Sequence, residues 1–209
     1  YFDGTDWVRL EKGVAGNVLT VNENATAPRW GPDCSFPGAE HGYVCGGYFG
    51  QNSSTVFIGL AIEKFSLVSD GDATDVADMI SSRRNQGGHS SQTHGYITGG
   101  GTGHPTVQVN SIERFTFASD SDSVDWADLL SSNHSDSAVC SSATYGFTYG
   151  GQNSGSLDIN VIERFPFETQ TNSTDWADCS VSQHGAAGCS SGTHGYAVNA
   201  QRHGNIPPN

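Results

Sequence analysis

The chain has 209 residues and a formal net charge of −13, with 9 Lys and Arg against 22 Asp and Glu. An acidic surface repels phosphate backbones and anionic membrane surfaces, so we expect neither nucleic-acid nor membrane-surface binding. No apolar run approaches the roughly 20 residues of a membrane-spanning helix. Glycine contributes 27 residues and methionine one. This composition disfavours helices and predicts an all-β protein.

The first 32 residues contain two extended segments. An Asp3-Gly4 turn after two aromatic residues predicts a β-hairpin that continues into the segment 7–10. A second segment, 13–30, reads GVAGNVLTVNENATAPRW. We predict that residues 1–32 form a hairpin segment and linker, and that residues 33–209 form a separate repeat domain.

Residues 33–209 repeat with a period of about 50 residues. The motif Ile-Glu-Lys/Arg-Phe begins at Ile62, Ile112 and Ile162, and a glycine pair precedes it at 46–47, 99–100 and 150–151. The motif Asp-x-Ala-Asp follows at 75–78, 125–128 and 175–178. The predicted repeats are 41–93, 94–144 and 145–193, with a partial repeat at 194–209.

Each repeat contains short, evenly spaced strand signals. In the third repeat these are an aromatic run at 145–149, an alternating segment at 161–167 and a segment at 175–181 around Trp176. A Gly/Ser/His stretch then leads into the next repeat. Four strands in about 50 residues match the strand count and period of a propeller blade.

The glycine pair, the acidic-aromatic strand and the tryptophan resemble kelch repeats over residues 41–196. The first repeat departs from this pattern, because Val76 stands where the others have Trp126 and Trp176. The resemblance implies a β-propeller, which usually has four to eight blades. Three repeats and a fragment do not close such a ring, so a longer chain or neighbouring chains would supply the other blades. A β-trefoil-like fold of three four-stranded units is the alternative.

Residues 1–30 resemble shaft segments of bacteriophage tail fibres, and the repeat motif is similar to repeats in structural proteins of marine phages. The resemblance implies a non-catalytic virion protein, a tail fibre or related appendage at the particle surface, with a role in host recognition. It implies a homotrimer whose partners are other virion proteins and a host surface glycan or protein. No cofactor is expected.

The loops that follow the glycine pairs differ most between repeats, and loops on a rigid repeat scaffold are free to vary. We therefore predict that they form the binding surface. The candidate residues are Tyr48, Phe49, Gln51, Asn52, Thr102, His104, Gln152 and Asn153.

Acidic loops in the first two repeats offer several oxygen ligands of the kind that calcium prefers. The candidate ligands are Asp70, Asp72, Asp75, Asp120, Asp122 and Asp125. The third repeat has Gln170 and Asn172 at the first two positions, and no loop has EF-hand spacing. Solvated turns are the favoured interpretation, so no metal site is predicted.

Charged residues that recur in every repeat are expected to serve the scaffold, because catalysis needs one asymmetric constellation. Glu63, Glu113 and Glu163, with Lys64, Arg114 and Arg164, are therefore interpreted as cross-strand or inter-blade ion pairs. The five cysteines, an odd number without a CxxC pair, predict no disulfide framework.

Two alternative functions are open. One is an extracellular kelch-type carbohydrate-active enzyme resembling sugar oxidases, which would need a non-repeated cluster of His, Tyr and Cys around a metal. The histidines interpreted as lying off the repeat pattern are His104, His134, His184 and His203. The other alternative is a purely structural virion scaffold.

Overall fold

A computed structural model describes most of the chain, which divides into a unit of residues 1–36 and a unit of residues 37–209. The described residues are 17–21, 28–32, 40–51, 56–103, 106–132, 134–153, 155, 157–198 and 201. The smaller unit contains an antiparallel hairpin of β1 (Asn17–Val21) and β2 (Pro28–Pro32). The hairpin predicted within residues 1–10 lies outside the described residues.

The described part of the larger unit is all-β, as predicted, and its sheets are small, antiparallel and not closed. Sheet I contains β3 (His41–Cys45), β6 (Ala61–Ser66) and β7 (Thr74–Asp78). Sheet II contains β8 (Gly87–Ser90), β9 (His94–Thr98), β12 (Ser111–Thr116) and β13 (Val124–Asp128). Sheet III contains β14 (Ala138–Ser141), β15 (Tyr145–Tyr149), β16 (Ile159–Pro166) and β17 (Thr174–Gln183).

Three two-stranded hairpins accompany these sheets. They are β4 (Tyr48–Gln51) with β5 (Val56–Ile58), β10 (Gly101–Thr102) with β11 (Val107–Gln108), and β18 (Ala187–Ser190) with β19 (Gly195–Val198). No described residue lies in a helix that is long and apolar enough to cross a membrane.

Sheets II and III are four-stranded meanders, and each one straddles a limit between predicted repeats. β8 precedes the limit at residue 93 but pairs with β9, and β14 likewise pairs with β15. Each of these sheets therefore begins one strand before the start of the predicted repeat.

The recurring sequence motifs have local structural causes. A β-carbon at Gly42, Gly95 or Gly146 would collide with the ring of Phe65, Phe115 or Phe165, which lies against that glycine from the paired strand. The register also shifts between Ile and Glu in β6, β12 and β16. This irregularity changes the direction of the strand at the same position of the motif in each repeat.

Each sheet has two faces, and the core lies between neighbouring sheets. The front face of sheet II is the face that carries Tyr96, Ile112, Trp126 and Leu129. These residues pack against Phe165 and Phe167, which lie on the back face of sheet III. The front face of sheet I, with Ile62 and Met79, packs in the same way on Phe115 and Phe117 from the back face of sheet II. The core is therefore built from front-to-back stacking of successive sheets.

Candidate functional site

The glycine pairs turn the chain out of the sheets and into the variable loops. All six pair residues have positive φ, from 57° at Gly46 to 116° at Gly47. A β-carbon at Gly99 or Gly150 would lie 2.7 Å from the carbonyl oxygen of His134 or Gln183. Only glycine combines this backbone conformation with such a close approach, so the same turn recurs in each repeat.

The three loops that follow the glycine pairs lie side by side, and we call them the loop row (described residues of 48–58, 101–108 and 152–158). Arg84 joins the first loop to the second: its guanidinium lies 5.4 Å from the ring centre of Tyr48 and bonds the Thr106 hydroxyl. Gln108 joins the second loop to the third, because its Nε2 donates to the carbonyl oxygen of Gln152 at 3.0 Å. Positions far apart in sequence thus form one continuous surface.

The loop row exposes apolar side chains in an otherwise acidic protein. Phe49 is 75% exposed, Leu157 63%, Val107 61% and Tyr48 49%. Asn153 orders the third loop by accepting hydrogen bonds from the backbone amides of Gly155 and Leu157, at 2.9 and 3.0 Å. Exposed aromatic and aliphatic groups on ordered loops are suited to contact a partner surface.

The predicted binding residues have different places in this row. Tyr48 and Phe49 are at its surface, and Thr102 donates its hydroxyl proton to the Val107 carbonyl at 3.3 Å. Gln152 and Asn153 belong to the third loop, and Gln51 ends β4. Asn52 and His104 lie outside the described residues. Val107 and Leu157 end the predicted loops 101–107 and 152–157, whereas sequence reasoning missed Arg84, because only the fold brings it to the loops.

The acidic loops have partners within the protein. Lys64 lies 3.0 Å from Asp120 of the next sheet, and Asp122 accepts a hydrogen bond from the backbone amide of Asp78 at 3.0 Å. The other candidate ligands, Asp70, Asp72, Asp75 and Asp125, are exposed. Across the described residues no group of three or more His, Cys, Asp or Glu side chains is arranged to hold a metal ion.

Two of the three repeated glutamates, Glu113 and Glu163, cross-link neighbouring sheets at buried positions. Glu113 pairs with Arg83, and Glu163 pairs with His134 at 2.8 Å. Glu163 also accepts hydrogen bonds from the Leu130 backbone amide at 2.9 Å and the Ser173 hydroxyl at 2.5 Å. Burial alone would raise the pKa of Glu163, but the hydrogen bonds from His134 and Ser173 outweigh it and leave the pKa lowered.

The cations beside these glutamates in sequence do something else. Arg114 stacks on the ring of Trp126 at 3.7 Å, and Arg164 stacks on that of Trp176 at 3.6 Å. In the second and third repeats the glutamate therefore makes an ion pair between sheets, one of the two predicted kinds, and the arginine makes a cation–π contact on the front face. In the first repeat Lys64 makes the ion pair between sheets and Glu63 is exposed.

His134 and His184 occupy two different positions of the repeat, and neither position holds a histidine in the other repeats. Arg83, His134 and Gln183 are equivalent, because their carbonyl oxygens accept hydrogen bonds from the second glycine of successive pairs, and all three are buried. His184 is equivalent to Arg84 and Ser135, which form isolated bridges like its own. His134 Nδ1 is 2.9 Å from the carbonyl oxygen of Gly150, and His184 lies 2.9 Å from Asp158. His104 and His203 lie outside the described residues.

A groove of about 610 Å³ lies between the front face of sheet III and the β18–β19 hairpin. Its apolar wall contains Phe147, Ile162, Trp176 and Cys179, and its polar wall contains Ser190 and Thr193. Trp176 is 54% exposed, whereas the equivalent Trp126 is 7% exposed under sheet III. The groove is thus the uncovered part of a front face.

The cysteines near this groove do not form a disulfide. Among the described residues, Cys45, Cys140, Cys179 and Cys189 are free thiols. Burial raises the pKa of Cys45 to about 12 and also raises those of Cys140 and Cys179. Protonated thiols of this kind are weak nucleophiles and weak metal ligands.

Comparison with known proteins assigns no family to the chain. No protein-family profile matches it, and no curated protein is similar to it.

Proposed function

We propose that the protein is a non-catalytic adhesion component of a virion, a phage tail fibre or related appendage, whose loop row contacts a host surface glycan or protein. On this proposal the segment of residues 1–32 belongs to a fibre shaft, the protein is a homotrimer on the particle surface, and other virion proteins are its remaining partners.

The continuous loop row is the observation that carries the adhesion proposal. Three repeats deliver three different loops to one surface, joined by Arg84 and Gln108. In the sheets that carry these loops, the repeated Glu113 and Glu163 are occupied in buried cross-links between sheets. Rigid repeats with variable, exposed loops are an arrangement used for recognition.

We further propose that the sheets are kelch-like propeller blades. In support, sheets II and III are four-stranded antiparallel meanders that stack front to back, with buried cross-links at equivalent positions. This regular stacking favours blades over the β-trefoil-like alternative, which requires strands from all units to share one barrel.

The adhesion proposal is tested with fluorescently labelled protein and a panel of marine bacterial cultures, with binding measured by flow cytometry. On a culture that binds the wild-type protein, we expect Phe49→Ser combined with Leu157→Ser to reduce bound fluorescence by about tenfold or more, because anchor residues dominate binding.

The matched control is Val68→Ser in the turn between β6 and β7, since Val68 is 75% exposed, the same as Phe49. It should bind like the wild-type protein. Binding that both sets of variants retain would remove the loop row from the proposal, and binding to none of the cultures would contradict adhesion.

A further inference from the structure

The interface between sheets II and III shows what a front face of this protein accepts. Phe165 and Phe167 from the back face of sheet III cover Tyr96 and Trp126, and the Tyr96 hydroxyl donates to the Phe167 carbonyl at 2.9 Å. Glu163 reaches across to His134 and to the Leu130 amide. A front face therefore accepts a back-face strand with a glutamate and apolar residues two and four positions later.

Among the described residues, one front face and one back face are not covered by another sheet. On the front face of sheet III, Trp176 is 54% exposed beside the groove. On the back face of sheet I, Leu67 is 51% and Val44 48% exposed, and Glu63 is exposed as well, unlike buried Glu113 and Glu163. Sheet I thus presents Glu63, Phe65 and Leu67 with the spacing that fits the groove.

We propose that the back face of sheet I of one copy docks on the front face of sheet III of a second copy. Phe65 and Leu67 then cover Trp176 as Phe165 and Phe167 cover Trp126. Glu63 faces Gln183, the equivalent of Arg83 and His134, whose side-chain amide donates a hydrogen bond to the glutamate in place of the cation. Burying apolar surface on both faces favours association.

The incomplete sheets provide the place for this docking. Among the described residues, sheet I has no strand equivalent to β8, and the sheet of β18 and β19 has only the equivalents of β8 and β9. β3 reads HGYVC, and β19 with the preceding His194 reads HGYAV. All four residues of β19 are exposed. β3 of the second copy displaces β19 and takes its register on β18. The resulting four-stranded sheet consists of β18 of one copy and β3, β6 and β7 of the other.

This contact is head to tail, because it joins two different faces. A head-to-tail contact generates a closed ring or an open filament, depending on its rotation. It does not depend on the adhesion proposal, and it differs from association through the unit of residues 1–36.

The test is sedimentation velocity of the full chain over a range of concentrations. We expect species at multiples of 22.0 kDa whose proportion rises with concentration. Leu67→Asp and Glu63→Lys, both at exposed positions, should each weaken association by about tenfold or more. The matched controls Leu157→Asp and Asp72→Lys, exposed residues on neither face, should leave it unchanged.

Mixing two variants tests the direction of the contact. Trp176→Asp blocks the front face and Leu67→Asp blocks the back face, so each variant alone should be monomeric, while their mixture should form a one-to-one dimer. Circular dichroism confirms that both are folded. A wild-type chain that stays monomeric at its solubility limit overturns the proposal. Association that Leu67→Asp and Glu63→Lys leave unchanged also overturns it, and assigns the contact to another surface.

Discussion

Trp126 and Trp176 offer a direct test of how the sheets stack, because the same residue type occupies equivalent positions in different surroundings. Trp126 is 7% exposed and packs with Tyr96 at a ring distance of 6.2 Å, while Trp176 is 54% exposed. Each tryptophan carries a stacked arginine at a similar distance, 3.7 and 3.6 Å. Substitution by alanine therefore removes the same cation–π contact from both sites.

The expected losses differ because burial differs. Replacing a buried tryptophan by alanine costs about 3–5 kcal/mol in unfolding free energy, from lost burial and the cavity that remains. At Trp176 roughly half of the side chain is already in water, so we expect about 1–2 kcal/mol. The cation–π contribution, about 0.5–1 kcal/mol at each site, cancels in the comparison.

The assay is urea unfolding of both variants followed by circular dichroism, at a protein concentration low enough to keep the copies apart. Trp126→Ala should lower the unfolding midpoint more than Trp176→Ala, by an amount that corresponds to about 2–3 kcal/mol. Equal losses, or a larger loss for Trp176→Ala, would refute the inference that sheet III covers the first tryptophan and leaves the second exposed.

Three further predictions concern the scaffold. Burial lowers the pKa of His89 to about 4. Between pH 6.5 and 4 the unfolded chain therefore binds a proton that the folded protein does not, and the free energy of unfolding falls by roughly 3 kcal/mol. Urea titrations of His89→Cys should lack this part of the pH dependence. The pKa of Glu163 is lowered, so its carboxylate stabilises the fold above pH 4.5, and this contribution is lost on further acidification. Glu163→Gln should therefore lower the free energy of unfolding more at pH 7 than at pH 3. An equal effect at both pH values would contradict the ion pair. Gly150→Ala should lower the free energy of unfolding by about 1–3 kcal/mol, because Gly150 has a φ of 64° and lies against Gln183. Gly88→Ala should change it by less than about 0.5 kcal/mol, because no atom lies within 4 Å of the new carbon. Thermal unfolding of the two variants measures the difference.

The sequence by itself determined the all-β class, the 50-residue period and the places where loops leave the sheets. These features follow from local chemistry. Paired glycines permit the positive φ of the turns at 46–47, 99–100 and 150–151. Alternating residues in segments such as 161–167 define two faces of a strand. Both signals depend on neighbouring residues, so they can be read without knowing the fold.

Only the tertiary structure decided which residues meet. Glu113 pairs with Arg83 and Glu163 with His134, partners about 30 residues away, rather than with the adjacent arginines. Trp126 and Trp176 occur in the same motif, yet one is covered by the next sheet and the other is exposed. Contacts between sheets depend on what stacks on each face, and the same repeat motif occurs whether or not another sheet covers it.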